Sequence, residues 1–226
     1  MALYTIGDLH LSLSGEKPMD VFGGVWNGYV DKLKRGLSVL APDDVLVICG
    51  DISWGMRLQE SREDFAFLDA LPGKKIFVKG NHDYWWSTAA KMKSFFAKYG
   101  FSTLDILHNN CHFYKNDIAL CGTRGWFFEE EGGDKVFRRE LLRLETSLKA
   151  AGVREKFCFF HYPPCYEGYC CPEMIQMMKR YQVKKCFYGH LHGKSHRLAV
   201  EGEIDGIEYA LAAADYLRFS PIKIIP

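Results

Sequence analysis

The sequence predicts an α/β protein built in layers, on two observations. Short apolar runs alternate with stretches of helical period along the chain, and each main apolar run stops at Asp, Asn or His. "LYTIGD", "DVLVICGD", "KIFVKGN", "FCFFH" and "KCFYGH" are rich in β-branched and aromatic residues and read as buried strands.

The connecting elements follow in order. Trp26, Val30, Leu33, Leu37 and Leu40 recur at spacings of three and four, which predicts an amphipathic helix before the second strand. Ser61 with Asp64 has the form of a capping box opening a helix through Leu71. "STAAKMKSFFAKYG" predicts a third helix, capped by Ser87 and ended by Gly100. Residues 111–122 read as two short strands around "KND". Phe137, Leu141, Leu144, Leu148 and Ala151 mark a fourth helix with Asp134 as its cap, and Pro172 suits the first turn of a fifth. "EGEIDGIEYALA" reads as a hairpin turning at Asp205-Gly206. With no repeat, low-complexity tract or linker, residues 1–226 are expected to form one domain.

Composition narrows the function classes. Almost half of the 226 residues are apolar and the net charge is +1, so neither nucleic acid nor an anionic membrane is the expected partner. No apolar stretch approaches a membrane span, and "MALYTIGD" enters a strand-like run at once, so a reducing cytoplasm is the expected home. Of the eight cysteines, Cys49, Cys121, Cys158 and Cys186 lie within apolar runs as small buried hydrophobes. Cys165, Cys170 and Cys171 fit no usual zinc spacing, and the expectation for them is reduced loop thiols.

The chemistry gathers at the strand ends. Asp8 and His10 follow the first run, Asp51 the second, Asn81, His82 and Asp83 the third, His161 the fourth, and His190 and His192 the fifth. In α/β sheets ligands bind beyond the carboxyl ends of strands, so these groups should converge on one rim. Residues two apart in extended chain face one side, which aims Asp8 with His10 and His190 with His192 at a common centre. Taken singly, each would more often be a surface or capping residue; the full set after successive buried strands is what carries the inference. Three carboxylates, at least four imidazoles and an amide exceed what one ion takes, and with Asp51 bridging they divide into two sites of mixed N and O ligation. That mixture suits Mn, Fe or Zn. His108, His112 and His196 are expected to be solvated or structural.

"GDLH", "GDISWG", "GNHD", the His of "FFHYPP" and "GHLH" resemble, in order and rough spacing, the motifs of the calcineurin-like metallophosphoesterases, over residues 7 to about 193. The resemblance implies a four-layer α/β/β/α sandwich of two mixed sheets between helices. It implies one metal on Asp8, His10, Asp51 and His192 and a second on Asp51, Asn81, His161 and His190. His82 becomes the catalytic group that is not a ligand, with Asp83 orienting it. "GDISWG" lacks the Arg that protein Ser/Thr phosphatases carry in the corresponding motif, which weighs against that branch.

The expected activity is thus that of a dinuclear, metal-dependent phosphohydrolase. It would cleave a phosphomonoester or phosphodiester by in-line attack of a metal-bridging hydroxide, the two ions lying about 3.5–4 Å apart. The expected partner is a small phosphorylated substrate. Trp54, Tyr84, Trp85 and Trp86 invite base stacking by a nucleotide, but packing of the motif loops explains them as well and is the favoured reading. Arg124 in "CGTRGWF" is a candidate phosphate contact. Two rivals are a non-catalytic scaffold on the same fold, which the intact His82 disfavours, and a metal-dependent nuclease, which would want a basic groove.

Overall fold

Four parallel strands, β1 (Leu3–Ile6), β2 (Val45–Ile48), β3 (Lys74–Phe77) and β4 (Leu104–Ile106), form the body of the first sheet. This computed structural model describes residues 1–15, 17–115, 117–126 and 133–225. The outer edge of β1 is covered by antiparallel β13 (Ile222–Ile225), giving the order β13-β1-β2-β3-β4. The second sheet contains β5 (His112–Tyr114), β6 (Ile118–Thr123), β7 (Glu155–Phe160), β10 (Val183–Tyr188), β11 (Gly202–Ile204) and β12 (Ile207–Leu211). Its order is β11-β12-β10-β7-β6-β5, with β6, β7, β10 and β12 parallel and the two edge strands antiparallel.

Helices α1 (Tyr29–Leu37), α2 (Arg62–Ala70) and α3 (Ala89–Tyr99) pack on the first sheet, burying Leu33, Leu37, Phe65, Leu68, Met92 and Phe96 against Tyr4, Ile6, Ile48 and Phe77. Helices α4 (Gly133–Ala150) and α5 (Pro172–Arg180) cover the second, where Leu144, Leu148, Met174 and Met178 meet Cys158, Phe160 and Tyr188. Between the sheets Leu3, Val47, Ile76 and Val78 face Leu120, Phe157, Phe159 and Phe187. Apolar residues on both faces explain why the main strands read as unbroken apolar runs rather than alternating ones. The architecture is the expected four-layer α/β/β/α sandwich.

Several local expectations are corrected. Trp26 lies before α1 in a 3₁₀ turn (Gly24–Trp26), because Gly28 takes a left-handed φ of 62° and breaks the helix there. Ser61 makes no side-chain cap, and Asp64 instead accepts from the Leu13 N–H (2.8 Å) and the Ser53 hydroxyl (2.5 Å). Thr88, not Ser87, caps α3 through the Lys91 N–H, while Gly100 ends it as expected, in the left-handed region. Asp134 sits inside the first turn of α4. Cys165 and Cys170 are not reduced: they are disulfide-bonded, closing the small hairpin of β8 (Cys165–Tyr166) and β9 (Tyr169–Cys170). Antiparallel register sets the two residues directly opposite, within bridging reach. Cys171 remains free and buried, as do the four strand cysteines.

Candidate metal centre

All five ligand-bearing segments leave the carboxyl ends of parallel strands, three from one sheet and two from the other. The sheets are stitched together at this rim by a parallel bridge between Gly7 and Ala213. Asp8, His10, Asp51 and His190 all have left-handed backbones (φ 57°, 46°, 50° and 72°). This region is sparsely populated by residues with side chains, and such strain gathers where surrounding structure enforces it. Glycine supplies the remaining room: a Cβ on Gly80 would collide with the Asp51 carboxylate, and one on Gly189 with that of Asp8.

The first ligand group is complete. One donor atom each from Asp8, His10, Asp51 and His192 lies within 4.8 Å of the others. The Nε2 atoms of His10 and His192 are 3.2 Å apart, and His192 Nε2 is 3.3 Å from Asp8 Oδ1. Asp51 faces both ways. Its Oδ2 is 3.6 Å from His10 Nε2, while its Oδ1 is 3.6 Å from His161 Nε2. On that second side His161 Nε2 meets Asn81 Oδ1 at 2.5 Å, and the His190 ring lies edge-on to His161 with centroids 5.1 Å apart. The seven predicted ligands are therefore brought together in two adjoining groups that share Asp51.

Hydrogen bonds fix which nitrogen two of the imidazoles, His161 and His192, present. His161 Nδ1 is 3.1 Å from the Cys49 carbonyl, which leaves Nε2 as the lone-pair nitrogen toward Asn81 and Asp51. The Arg124 carbonyl accepts from the His161 and Tyr162 N–H groups and sets the loop. His192 Nδ1 meets Asp215 Oδ1 at 3.1 Å, and the Gly193 N–H donates to Asp215 Oδ2. His196 Nε2 lies 3.1 Å from the same carboxylate, a separation without hydrogen-bond geometry. The sequence reading passed over Asp215 and left His196 at the periphery. The missed signal was "YALAAAD", another strand, β12, running into an acidic residue at the same rim.

Asp83 does not orient His82. Its carboxylate accepts from the N–H groups of Asp51 (3.0 Å), Ile52 (2.8 Å), Ser53 (3.3 Å) and Gly80 (2.7 Å), and from Trp85 Nε1 (3.0 Å). It clamps the Asp51 loop to the Asn81 loop. The His82 N–H donates to Asp51 Oδ1 at 2.8 Å, and its ring partner is the Tyr84 hydroxyl, 3.3 Å from Nδ1. Trp54 stacks on His10 and leans on His82, with centroids 5.0 and 4.6 Å apart. Trp85 is buried in the helix-side core, as the packing reading expected, whereas Tyr84 is exposed. The Arg124 guanidinium lies over Tyr162 and 4.0 Å from the buried Glu140.

Electrostatics favour a cation here. Burial pushes His161 and His190 down to about 3 and lowers His10, which favours the neutral form of these rings. Burial, then Asp83 and Asp8, push the Asp51 carboxyl up; carboxylates so close repel until a positive charge lies between them. Against burial, Asp8 and Asp215 hold His192 up at about 10. The imidazoles, the amide oxygen and two buried carboxylates form a donor set that fits borderline divalent transition ions, and an ion beside His192 would displace the proton that Asp8 and Asp215 favour there.

A family model described as calcineurin-like phosphoesterase matches residues 1–194. A comparison with curated proteins finds no match. Among solved structures, the chain is similar to the phosphopantetheinyl hydrolase PptH from Mycobacterium tuberculosis, at TM-score 0.63 and 16% identity over 100% of this chain and 96% of that one. It is also similar to AQ665 from Aquifex aeolicus, a protein of unknown function, at TM-score 0.53 and 21% identity over 98% and 94% of the two chains. At these identities the likeness concerns the fold.

Proposed function

The chain belongs to the calcineurin-like phosphoesterase family, and from that premise we propose that it is a dinuclear metal-dependent phosphohydrolase. One arrangement carries the reading: the two Asp51 oxygens each lie 3.6 Å from an imidazole of a different ligand group. Asp8, His10, Asp51 and His192 would hold one ion, and Asp51, Asn81, His161 and His190 the other. When bound, such ions neutralise phosphate charge and acidify water.

The chain's own residues do the rest. Asp83 fixes the shared carboxylate by tying two loops together, and Asp215 and the Cys49 carbonyl hold His192 and His161 in their ligating tautomers. With Nδ1 engaged by Tyr84, His82 has Nε2 left to give a proton to the departing alkoxide. Arg124 is retained as a candidate contact for the phosphate oxygens.

Metal analysis together with an ester panel tests the proposal. Purified protein should carry close to two transition ions per chain, and Asp51→Asn should weaken both sites. Nitrophenyl monoesters and diesters, nucleotides and cyclic nucleotides, each assayed with Mn, Fe and Zn, would separate monoesterase from diesterase activity. One tightly held ion, unaffected by Asp51→Asn, would overturn the dinuclear assignment.

A further inference from the structure

One cavity opens directly onto the ligand imidazoles. It measures about 520 Å³, and its floor is His10, His82 and His192. Its walls are apolar: Met19, Phe22, Val25, Trp26 and Trp54. The outer wall is made of two 3₁₀ turns, Met19–Phe22 and Gly24–Trp26, joined through left-handed Gly23 and Gly24. Phe22 is 71% exposed and Val25 41%, although each is apolar and faces the cavity beside the metal centre.

The lining is as informative for what it omits. Besides the floor imidazoles and Asp215, which is engaged by His192 and Gly193, no charged, amide or hydroxyl side chain lines the cavity among the described residues. The Trp54 N–H is directed to Met19 Sδ at 3.4 Å. A site that selects nucleotides or sugars pairs their hydroxyls and base edges with donors and acceptors, since a polar group enclosed without a partner is costly. The wall side chains provide no such pairing. They do provide apolar surface, in a volume typical of small-ligand sites.

A phosphorus atom positioned at the ligand imidazoles would leave an ester substituent to fill this space. We infer that the cavity receives an apolar substituent, an alkyl chain or an aryl group, so that the enzyme selects phosphate esters of apolar alcohols over nucleotides and sugar phosphates. The inference rests on the phosphoesterase reading above and names its substrate class.

The test uses binding rather than turnover. Unbranched alkylphosphonates, from methyl to hexyl, have a P–C bond in place of the ester and are titrated into the metal-loaded protein by calorimetry. Kd should fall by about fourfold per added methylene, the factor expected for burying each CH₂, and hydroxyethylphosphonate should bind more weakly than ethylphosphonate. A Phe22→Ser/Val25→Ser double variant, with metal content verified, should flatten the dependence to under about twofold per methylene, because apolar wall area is lost. A Kd independent of chain length, or an undiminished slope in the double variant, would overturn the inference. So would tighter binding of the hydroxylated compound. Methylphosphonate that binds with a flat series sinks this inference alone; failure of every phosphonate to bind the loaded protein sinks the function proposed above as well.

Discussion

His82 occupies the position at which the proposed chemistry is most readily separated from ligation. It contributes no atom to either ligand group, yet its N–H holds Asp51 and its ring packs on Trp54. His82→Ala should therefore leave both metals bound while slowing hydrolysis of alkyl esters by about 10²–10⁴-fold, the usual range for a lost proton donor. Nitrophenyl esters depart as stable anions and should lose far less. Equal losses on both substrates, with metals verified, would mean that His82 stabilises phosphate charge instead. The role expected for Asp83 failed for a physical reason. A carboxylate next in sequence to an imidazole is a natural orienting partner on paper, but burial obliges it to satisfy backbone donors first, and four N–H groups and an indole claim it. Adjacent sequence does not reveal that competition.

Helix α2 shows how one element serves the rim at a distance. Asp64 in its first turn reaches across to the Ser53 hydroxyl and the Leu13 N–H, tying the loops after β1 and β2 to the helix. Burial raises the Asp64 carboxyl from 3.8 to about 6. Between those values the folded chain keeps a proton that the unfolded chain gives up, so this group makes stability fall as pH rises from about 4 to about 6 and adds no slope above that. The buried histidines pull the other way over the same window, so the readout is a difference: in chemical denaturation Asp64→Asn should gain stability relative to the parent as pH rises from about 4 to about 6, and parallel profiles would refute the assignment. The capping-box pattern concealed this tie, because Ser-x-x-Asp has the same form whether its acid caps a helix or crosses to a loop. Elements with strong signals were legible: the five main strands, the Asp205-Gly206 turn and the glycine end of α3. Strands β4 and β13 were not: they lie at the two edges of the first sheet and are specified by the strands they pair with rather than by their own pattern.

At the scale of the whole molecule, the centre draws ligands from both sheets, so metal binding and sheet packing are linked. Stripping the ions with a chelator should lower the melting temperature, and restoring manganese should recover it, as for any ligand bound by the folded state alone. Ions held at 100 times their Kd would add about 2.7 kcal/mol, and an unchanged melting curve would argue against a preformed site. The left-handed backbones of Asp8, His10, Asp51 and His190 have a further consequence. Each carries a conformational cost of about 1–3 kcal/mol that a glycine would largely relieve. Selection for the site and selection for a sturdy chain therefore pull in opposite directions at these four positions. Replacement of these ligands by glycine would run downhill in conformational energy, and a lineage that abandoned catalysis by that route could keep the sandwich, and even harden it, on the way to becoming a scaffold.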